Sequence, residues 1–103
     1  MKIKLFITLL GLCLSAPVLA TTVDRALTVS SIGAETDRVY FRVIEQVSGQ
    51  CLYDVVYLNI LSTSGRVQMS VLLTAKSLGK KLSIVGYNKD TQGFCWASTL
   101  ELE

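Results

Sequence analysis

The side chains that could take part in chemistry are mainly cysteines, tyrosines and carboxylates, because the chain has no histidine. Without histidine it can build neither a Ser-His-Asp triad nor an activated Cys-His pair. Paired carboxylates would need a cleft. Glu35 and Asp37 instead lie in a polar turn, and Glu101 and Glu103 lie on a predicted solvent-facing strand face. We therefore expect no catalytic residues and no enzymatic activity.

A metal site would depend on oxygen ligands alone, and the chain has no loop of the DxDxDG type that binds calcium. The polar loop with Asn88, Asp90 and Gln92 offers a sparse set of oxygens that could hold a cation weakly. A solvated loop is the favoured interpretation. We expect no metal site and no cofactor.

The cysteines predict a disulfide. Of the three, Cys13 lies in the apolar N-terminal segment, which leaves Cys51 and Cys95 as a pair. A redox or metal-binding pair would need CxxC spacing or nearby histidine. In an exported chain such a pair favours a structural disulfide. A bridge closing this loop would stabilise the domain by roughly 4 kcal/mol in the chain-entropy model.

The tyrosines are the best candidates for ligand contact, since an exposed aromatic ring can stack on a sugar. Structural packing is nevertheless the favoured interpretation for each of the four: Tyr40, Tyr53, Tyr57 and Tyr87. Tyr53 and Asp54 form the most suggestive pair, because they lie beside Cys51 near a strand end. Trp96 follows Cys95 directly and is expected to pack against the disulfide. The sequence identifies no ligand-binding residue.

The N-terminus predicts export. Lys2 and Lys4 precede an apolar run, and Val18-Leu19-Ala20 presents small residues where a signal peptidase cleaves. The run is shorter than the roughly 20 residues that span a bilayer, so a membrane anchor is the weaker alternative. We expect a signal peptide over residues 1–20, cleavage after Ala20, and a single periplasmic or secreted domain over residues 21–103 without a membrane span.

Charge argues against a nucleic-acid partner. The chain has ten Lys/Arg and eight Asp/Glu, and removal of Lys2 and Lys4 would leave the two signs balanced. Proteins that bind nucleic acid are usually distinctly basic. The cluster Lys76, Lys80 and Lys81 lies near the end of a predicted helix, where cations interact favourably with the helix dipole.

The remaining residues predict a mainly β domain with one helix. Period-two alternation indicates strands over residues 25–33, 38–46, 51–61, 82–87 and 94–103. Helical spacing indicates one helix over residues 68–78, ending at Gly79. A five-stranded Greek-key barrel with the helix between strands three and four, the OB-fold, is the most compact arrangement. A curled open sheet covered by the helix is the alternative.

Three features carry a family resemblance: the run VYFRVIE from Val39, the cysteine at the head of the third strand, and the run LLTAKSLGKKLSIVGYN from Leu72, followed by Cys95. Together they resemble the small secreted OB-fold proteins that include the B subunits of subtilase cytotoxin and of pertussis-like toxins. The resemblance covers the chain from about Arg25 onward. It implies an OB-fold, a homopentameric ring, binding of sialylated cell-surface glycans, and delivery of a separate catalytic subunit.

The resemblance therefore predicts a glycan-binding toxin B subunit. The alternative is a monomeric periplasmic protein that binds another protein as an inhibitor or assembly factor. A ring requires apolar or well-paired residues on the outer strands, and four side chains were expected to face away from the core: Tyr40, Ile44, Val55 and Val85. A monomer would leave them isolated or covered.

Overall fold

The computed structural model describes residues 21–103, in which six strands and one α-helix form a mainly β domain. The predicted signal peptide and Cys13 lie outside the described residues. The strands are β1 (Thr22–Leu27), β2 (Val29–Ala34), β3 (Val39–Val43), β4 (Val56–Leu58), β5 (Leu82–Lys89) and β6 (Cys95–Leu102), and the helix α1 is Thr63–Leu78. A short 3-10 turn, Leu52–Asp54, precedes β4. No helix within residues 21–103 is long and apolar enough to cross a membrane.

One mixed sheet contains all six described strands in the order β1-β5-β6-β4-β3-β2. Only the contact between β4 and β6 is parallel, and the other neighbours are antiparallel. The two end strands, β1 and β2, are consecutive in the chain and are separated by Thr28 alone. The chain thus passes from one end of the sheet to the other within a single bend.

The bend at Thr28 changes the expected count of strands. The segment predicted as one strand over residues 25–33 is two, because Ala26 has a positive φ of 58° and the β2–β3 register shifts between Val29 and Ser31. The Glu45 carboxylate stabilises the bend, accepting hydrogen bonds from the Thr28 amide and hydroxyl at 2.7 Å each. The described chain therefore has six strands rather than five, and the helix follows the fourth strand rather than the third.

The helix begins earlier than its apolar spacing predicted. Ser62 is the N-cap, and its hydroxyl accepts a hydrogen bond from the Gly65 amide at 3.0 Å. Gly65 contacts the Asn59 backbone so closely that a Cβ there would collide with the carbonyl group. Residues 63–67, which precede the predicted helix, therefore form the first turn of α1. The predicted end is correct, because Gly79 is a left-handed C-cap with φ 67°.

The core lies between the sheet and α1. It contains Phe41, Leu58, Leu72, Leu82, Val85 and Tyr87 with both cysteines. The disulfide joins Cys51 to Cys95, as predicted, with a Cα–Cα distance of 5.4 Å. It links the turn before β4 to the start of β6.

A register shift in the β5–β6 pair reverses the face on which Val85 lies. The shift lies between Leu82 and Ile84, so the core receives Leu82, Val85 and Tyr87, whereas strict alternation from Leu82 would place Ile84 and Gly86 there. A bulge exchanges the two faces of a strand because it adds one residue to a period of two. Val85 was expected to face outward and is completely buried, and Val55 is 2% exposed. Neither valine is available to a partner subunit.

Candidate ligand-binding surface

A row of aromatic side chains crosses three neighbouring strands on the side of the sheet opposite the core. Tyr40 of β3 is the register partner of Tyr57 of β4, and Tyr57 is the register partner of Trp96 of β6. Their ring centroids lie 5.9 Å and 5.4 Å apart. Phe94 and Tyr53 extend the row, with Phe94 at 5.5 Å from Tyr57 and 6.2 Å from Tyr53. We call these five residues the aromatic surface.

Strand register explains how the chain builds this surface. The flanking residues of β3, Val39 and Phe41, are buried in the core, so Tyr40 faces the other side. The Tyr40 ring lies directly over Gly33 of β2, where a Cβ would collide with it. The missing side chain at Gly33 therefore creates the space in which the ring lies flat.

Two arginines lie on the aromatic surface. The Arg38 guanidinium is 4.7 Å from the Tyr57 ring centroid and within 6 Å of those of Phe94 and Trp96. Its Nε also donates to the Glu35 carboxylate at 2.9 Å. Arg42 lies 5.6 Å from the Tyr40 ring centroid, and its side chain has no ion pair among residues 21–103. One arginine is thus held against the rings by a carboxylate, while the other is free to bind an anion.

Two shallow pockets meet at Arg42 and Tyr53. The Tyr40 pocket has a volume of about 310 Å³ and is lined by Glu35, Tyr40, Arg42, Tyr53, Val55 and Tyr57. The Ile44 pocket has a volume of about 330 Å³ and is lined by Ser30, Arg42, Val43, Ile44, Gln46, Tyr53 and Asp54. Small-molecule sites usually combine apolar walls with a few convergent polar groups, whereas the lining of both pockets is mainly polar.

The tyrosine hydroxyls on this surface are free for a ligand. Among the described residues, no protein group forms a hydrogen bond with the hydroxyl of Tyr40, Tyr53 or Tyr57. No buried side-chain oxygen in this part of the chain lacks a partner, so the Tyr57 hydroxyl reaches solvent although the residue is only 4% exposed. Burial, together with the nearby Glu35 carboxylate, raises the pKa of Tyr57 above its ordinary value of 10.0. The hydroxyl therefore stays protonated and able to donate.

Tyr53 lies on a strained turn rather than on a strand. Tyr53 and Asp54 have φ angles of 62° and 58°, in the left-handed region that side chains with a Cβ rarely adopt. The Tyr53 side chain is 67% exposed. Tyr53 and Asp54, the pair that the sequence singled out for ligand contact, therefore lie at the rim of the pockets.

Tyr87 has a different role from the other three tyrosines. It is 1% exposed, its hydroxyl donates to Asp24 at 2.7 Å, and the same oxygen accepts from the Gly49 amide at 2.8 Å. Burial, followed by the hydrogen bond to Asp24, raises the pKa of Tyr87. Partial burial acts to raise the pKa of Asp24, but hydrogen bonds from Ser48 and Tyr87 lower it overall. Tyr87 cannot reach a ligand.

In the polar loop, both Asp90 carboxylate oxygens already accept hydrogen bonds from nearby residues. One Asp90 oxygen accepts from the Gln92 and Phe94 amides at 2.9 Å each, and the other accepts from the Trp96 indole at 3.1 Å. Within residues 21–103, no group of three or more His, Cys, Asp or Glu could hold a metal ion. Trp96, which was expected to pack against the disulfide, instead joins the aromatic surface, with its indole nitrogen held by Asp90.

The lysines at the end of the helix do not belong to the aromatic surface. Lys76, in the last turn of α1, donates to the Ser30 carbonyl at 3.2 Å, and Lys80 and Lys81 follow the helix and are exposed. Ser77 and Lys80 have the Ser-x-x-Lys spacing of a serine–lysine dyad. Both side chains are exposed, and the helix ends between them at Gly79, so they do not share one helical face.

Three participants were missed at the sequence level: Arg38, Arg42 and Phe94. The alternation Arg38-Val39-Tyr40-Phe41-Arg42 does contain a signal, because it places both arginines on the face of Tyr40. Phe94 was assigned to a strand, but it precedes β6. Comparison with known proteins adds no relative, since no family model, no curated protein and no solved structure matches the chain.

Proposed function

We propose that this protein is an exported, non-catalytic module that binds acidic glycans through the aromatic surface. The observation that carries the proposal is the meeting of the exposed Tyr53 ring and the half-buried Tyr40 ring with the guanidinium of Arg42 at the junction of two open pockets. Aromatic rings offer apolar faces to the C–H face of a sugar, and arginine binds carboxylates in a bidentate geometry. A sialylated glycan provides both groups.

The topology supports an OB-type barrel as the scaffold. If β1 and β2 are counted as one bent strand, the sheet order becomes first, fourth, fifth, third, second and first again. The third and fifth strands are then parallel, and the helix lies between the third and fourth. This order supports the proposal of the five-stranded Greek-key arrangement that the toxin B resemblance implies.

A homopentameric ring that carries a catalytic partner is part of the same proposal. Of the four side chains expected at subunit contacts, Ile44 remains 67% exposed and Tyr40 is half-buried. The end strand β2 presents only small or apolar uncharged residues, VSSIGA, without the lysines or prolines that usually protect a sheet edge. A strand of a second copy that paired there would have to displace the Lys76 side chain, which donates to the Ser30 carbonyl at 3.2 Å.

A monomeric, protein-binding factor is the alternative function. The helix side of the domain has four exposed large apolar residues: Leu61, Val67, Leu73 and Leu78. Scattered apolar side chains are normal on a protein surface, but a cluster marks a contact site. A partner bound there would leave the aromatic surface without a role.

Two measurements test the proposal. Light scattering of the oxidised protein over residues 21–103 should give a mass near five protomers, and a monomer would favour the alternative. A glycan array should show binding to sialylated but not to matching asialo glycans. Replacement of Arg42 by Gln should abolish this preference, whereas Arg25→Gln, an exposed arginine on β1, should not. Equal loss with both variants would contradict a specific site.

A further inference from the structure

We propose that the Cys51–Cys95 disulfide is a positioning element of the ligand site, because it holds the turn that presents Tyr53. The inference rests on the proposed function and assigns to the bridge a role beyond stabilising the domain. It concerns residues 50–54, which connect the disulfide to the rim of both pockets.

The turn is held in an unfavourable backbone conformation. Gln50, Tyr53 and Asp54 have φ angles of 56°, 62° and 58°, so three non-glycine residues within five positions are left-handed. Such a conformation brings the Cβ close to the following carbonyl oxygen. It persists only when surrounding contacts impose it, and it concentrates at binding sites. An aromatic residue that is itself left-handed and is followed by a second left-handed residue requires strong anchoring.

The anchors of the turn converge on the start of β6. Cys51 is bonded to Cys95, and the Leu52 amide donates to the Gly93 carbonyl at 2.9 Å. The Tyr53 ring contacts the Phe94 ring, the neighbour of Cys95. A further backbone hydrogen bond of the turn is local, from the Asp54 amide to the Cys51 carbonyl at 2.9 Å. Without the bridge, the Leu52–Gly93 hydrogen bond and the Tyr53–Phe94 ring contact would be left to tie the turn to the start of β6.

Tyr53 is the member of the aromatic surface that depends most on these anchors. Tyr40, Tyr57 and Trp96 lie on strands, where ladder hydrogen bonds fix the backbone. Tyr53 has no ladder partner, yet it lines both pockets together with Arg42. If the turn relaxed, the ring would leave the junction while the strand-held rings stayed in place. Loss of the bridge should therefore weaken ligand binding before it disturbs the sheet.

The test compares four variants in 3′-sialyllactose binding and in ligand-free NMR. C51A/C95A removes the bridge, Tyr53→Ala removes the ring, and Q50G/D54G relieves the strain of two left-handed residues but keeps the bridge. Leu72→Ala is the control, because it destabilises the buried face of α1 without touching the turn. C51A/C95A and Tyr53→Ala should each lose about tenfold in affinity, whereas Q50G/D54G and Leu72→Ala should lose almost nothing. If C51A/C95A does not fold, C51A/C95V, which refills part of the buried volume of the two sulfur atoms, decides in its place.

The NMR measurement separates this inference from the proposed function. The Tyr53–Phe94 ring contact and slow exchange of the Leu52 amide should be present in the wild type and in Leu72→Ala and lost in C51A/C95A. Persistence of both in the bridge-free variant would overturn the positioning role. Wild-type affinity in Tyr53→Ala would overturn the role of Tyr53 while glycan binding stood. If the wild type bound no sialoside, the proposed function would fail, and the ring contact and exchange would still decide whether the bridge positions Tyr53.

Discussion

Tyr40 and Tyr87 lie on opposite sides of the sheet, and each ring covers a glycine, yet they use their hydroxyls differently. Tyr40 lies over Gly33 and Tyr87 over Gly49. The Tyr87 hydroxyl is enclosed by Asp24 and the Gly49 amide, whereas the Tyr40 hydroxyl has no partner among the described residues. The same packing device thus closes one site and leaves the other open. Where the hydrogen bonds of a tyrosine go, rather than its burial alone, separates structural from ligand-facing positions.

Removal of the Tyr87 hydroxyl should give the largest loss of stability. Tyr87→Phe removes one hydrogen bond to the Asp24 carboxylate, which keeps those from Ser48, and leaves the Gly49 amide without its partner, so we expect the free energy of unfolding to fall by about 2 kcal/mol. Urea denaturation of the oxidised protein measures this value, and glycan binding well below the midpoint should be unchanged. A change below about 0.5 kcal/mol would mean that the network adds no stability.

A methyl group under Tyr40 should affect glycan affinity more than stability, in contrast to the loss of the Tyr87 hydroxyl. Gly33→Ala places a Cβ where the Tyr40 ring lies, so the ring must move. We expect about 1 kcal/mol of lost stability from overpacking. The loss of glycan affinity should exceed that of Tyr40→Phe, since the ring itself is displaced. If Gly33→Ala bound as tightly as the wild type, Tyr40 would not contact the ligand.

Acid should reduce the stability of the domain by protonating Asp24, the hydrogen-bond partner of Tyr87. The folded pKa of Asp24 lies below its ordinary value of 3.8, so its contribution to stability is present above that pH and is lost as the pH falls through the folded pKa. Asp24→Asn should therefore reduce the dependence of stability on pH below 3.8. Denaturation midpoints measured across the acid range for the two proteins would reveal this. Parallel curves would contradict it.

The smallest effect on stability is expected for Tyr57→Phe. The Tyr57 hydroxyl has no protein partner among the described residues and reaches solvent, so its removal should change stability by less than about 0.5 kcal/mol. Glycan affinity should nevertheless fall severalfold, because the hydroxyl is a free donor in the Tyr40 pocket. Titration calorimetry of the variant against the wild type measures the difference. If the variant lost stability but kept its full glycan affinity, the Tyr57 hydroxyl would be structural rather than ligand-facing.

The sequence predicted those features that depend on short, regular patterns. The disulfide pair, the helix end at Gly79 and the burial of Val39 and Phe41 are all correct. Each follows from a local rule: an even pair of cysteines, a left-handed cap, or an unbroken period of two. The mainly β class with one helix follows from the same patterns.

The features that the sequence did not predict depend on irregular backbone. Val85 was assigned to the wrong face because the β5–β6 ladder contains bulges, and the alternation of side chains along the sequence does not reveal where a bulge lies. The bend at Thr28 and the left-handed Tyr53 are likewise set by contacts from distant residues, Glu45 and Cys95. Trp96 and Arg38 meet only when β3, β4 and β6 are placed side by side.

The position of β6 in the sheet has a consequence for the order of folding. β6 is the last strand of the chain and lies between β5 and β4, so it alone joins the β1–β5 pair to the β2–β3–β4 group. Until β6 is in place, no strand pairing joins the two groups, which are then linked by the bend at Thr28 and by the hydrogen bonds of Asp24 and Tyr87 to Ser48 and Gly49. We therefore expect the sheet to close in one late, cooperative step that is slowed by its long-range pairings. A chain lacking β6 should fold into neither half.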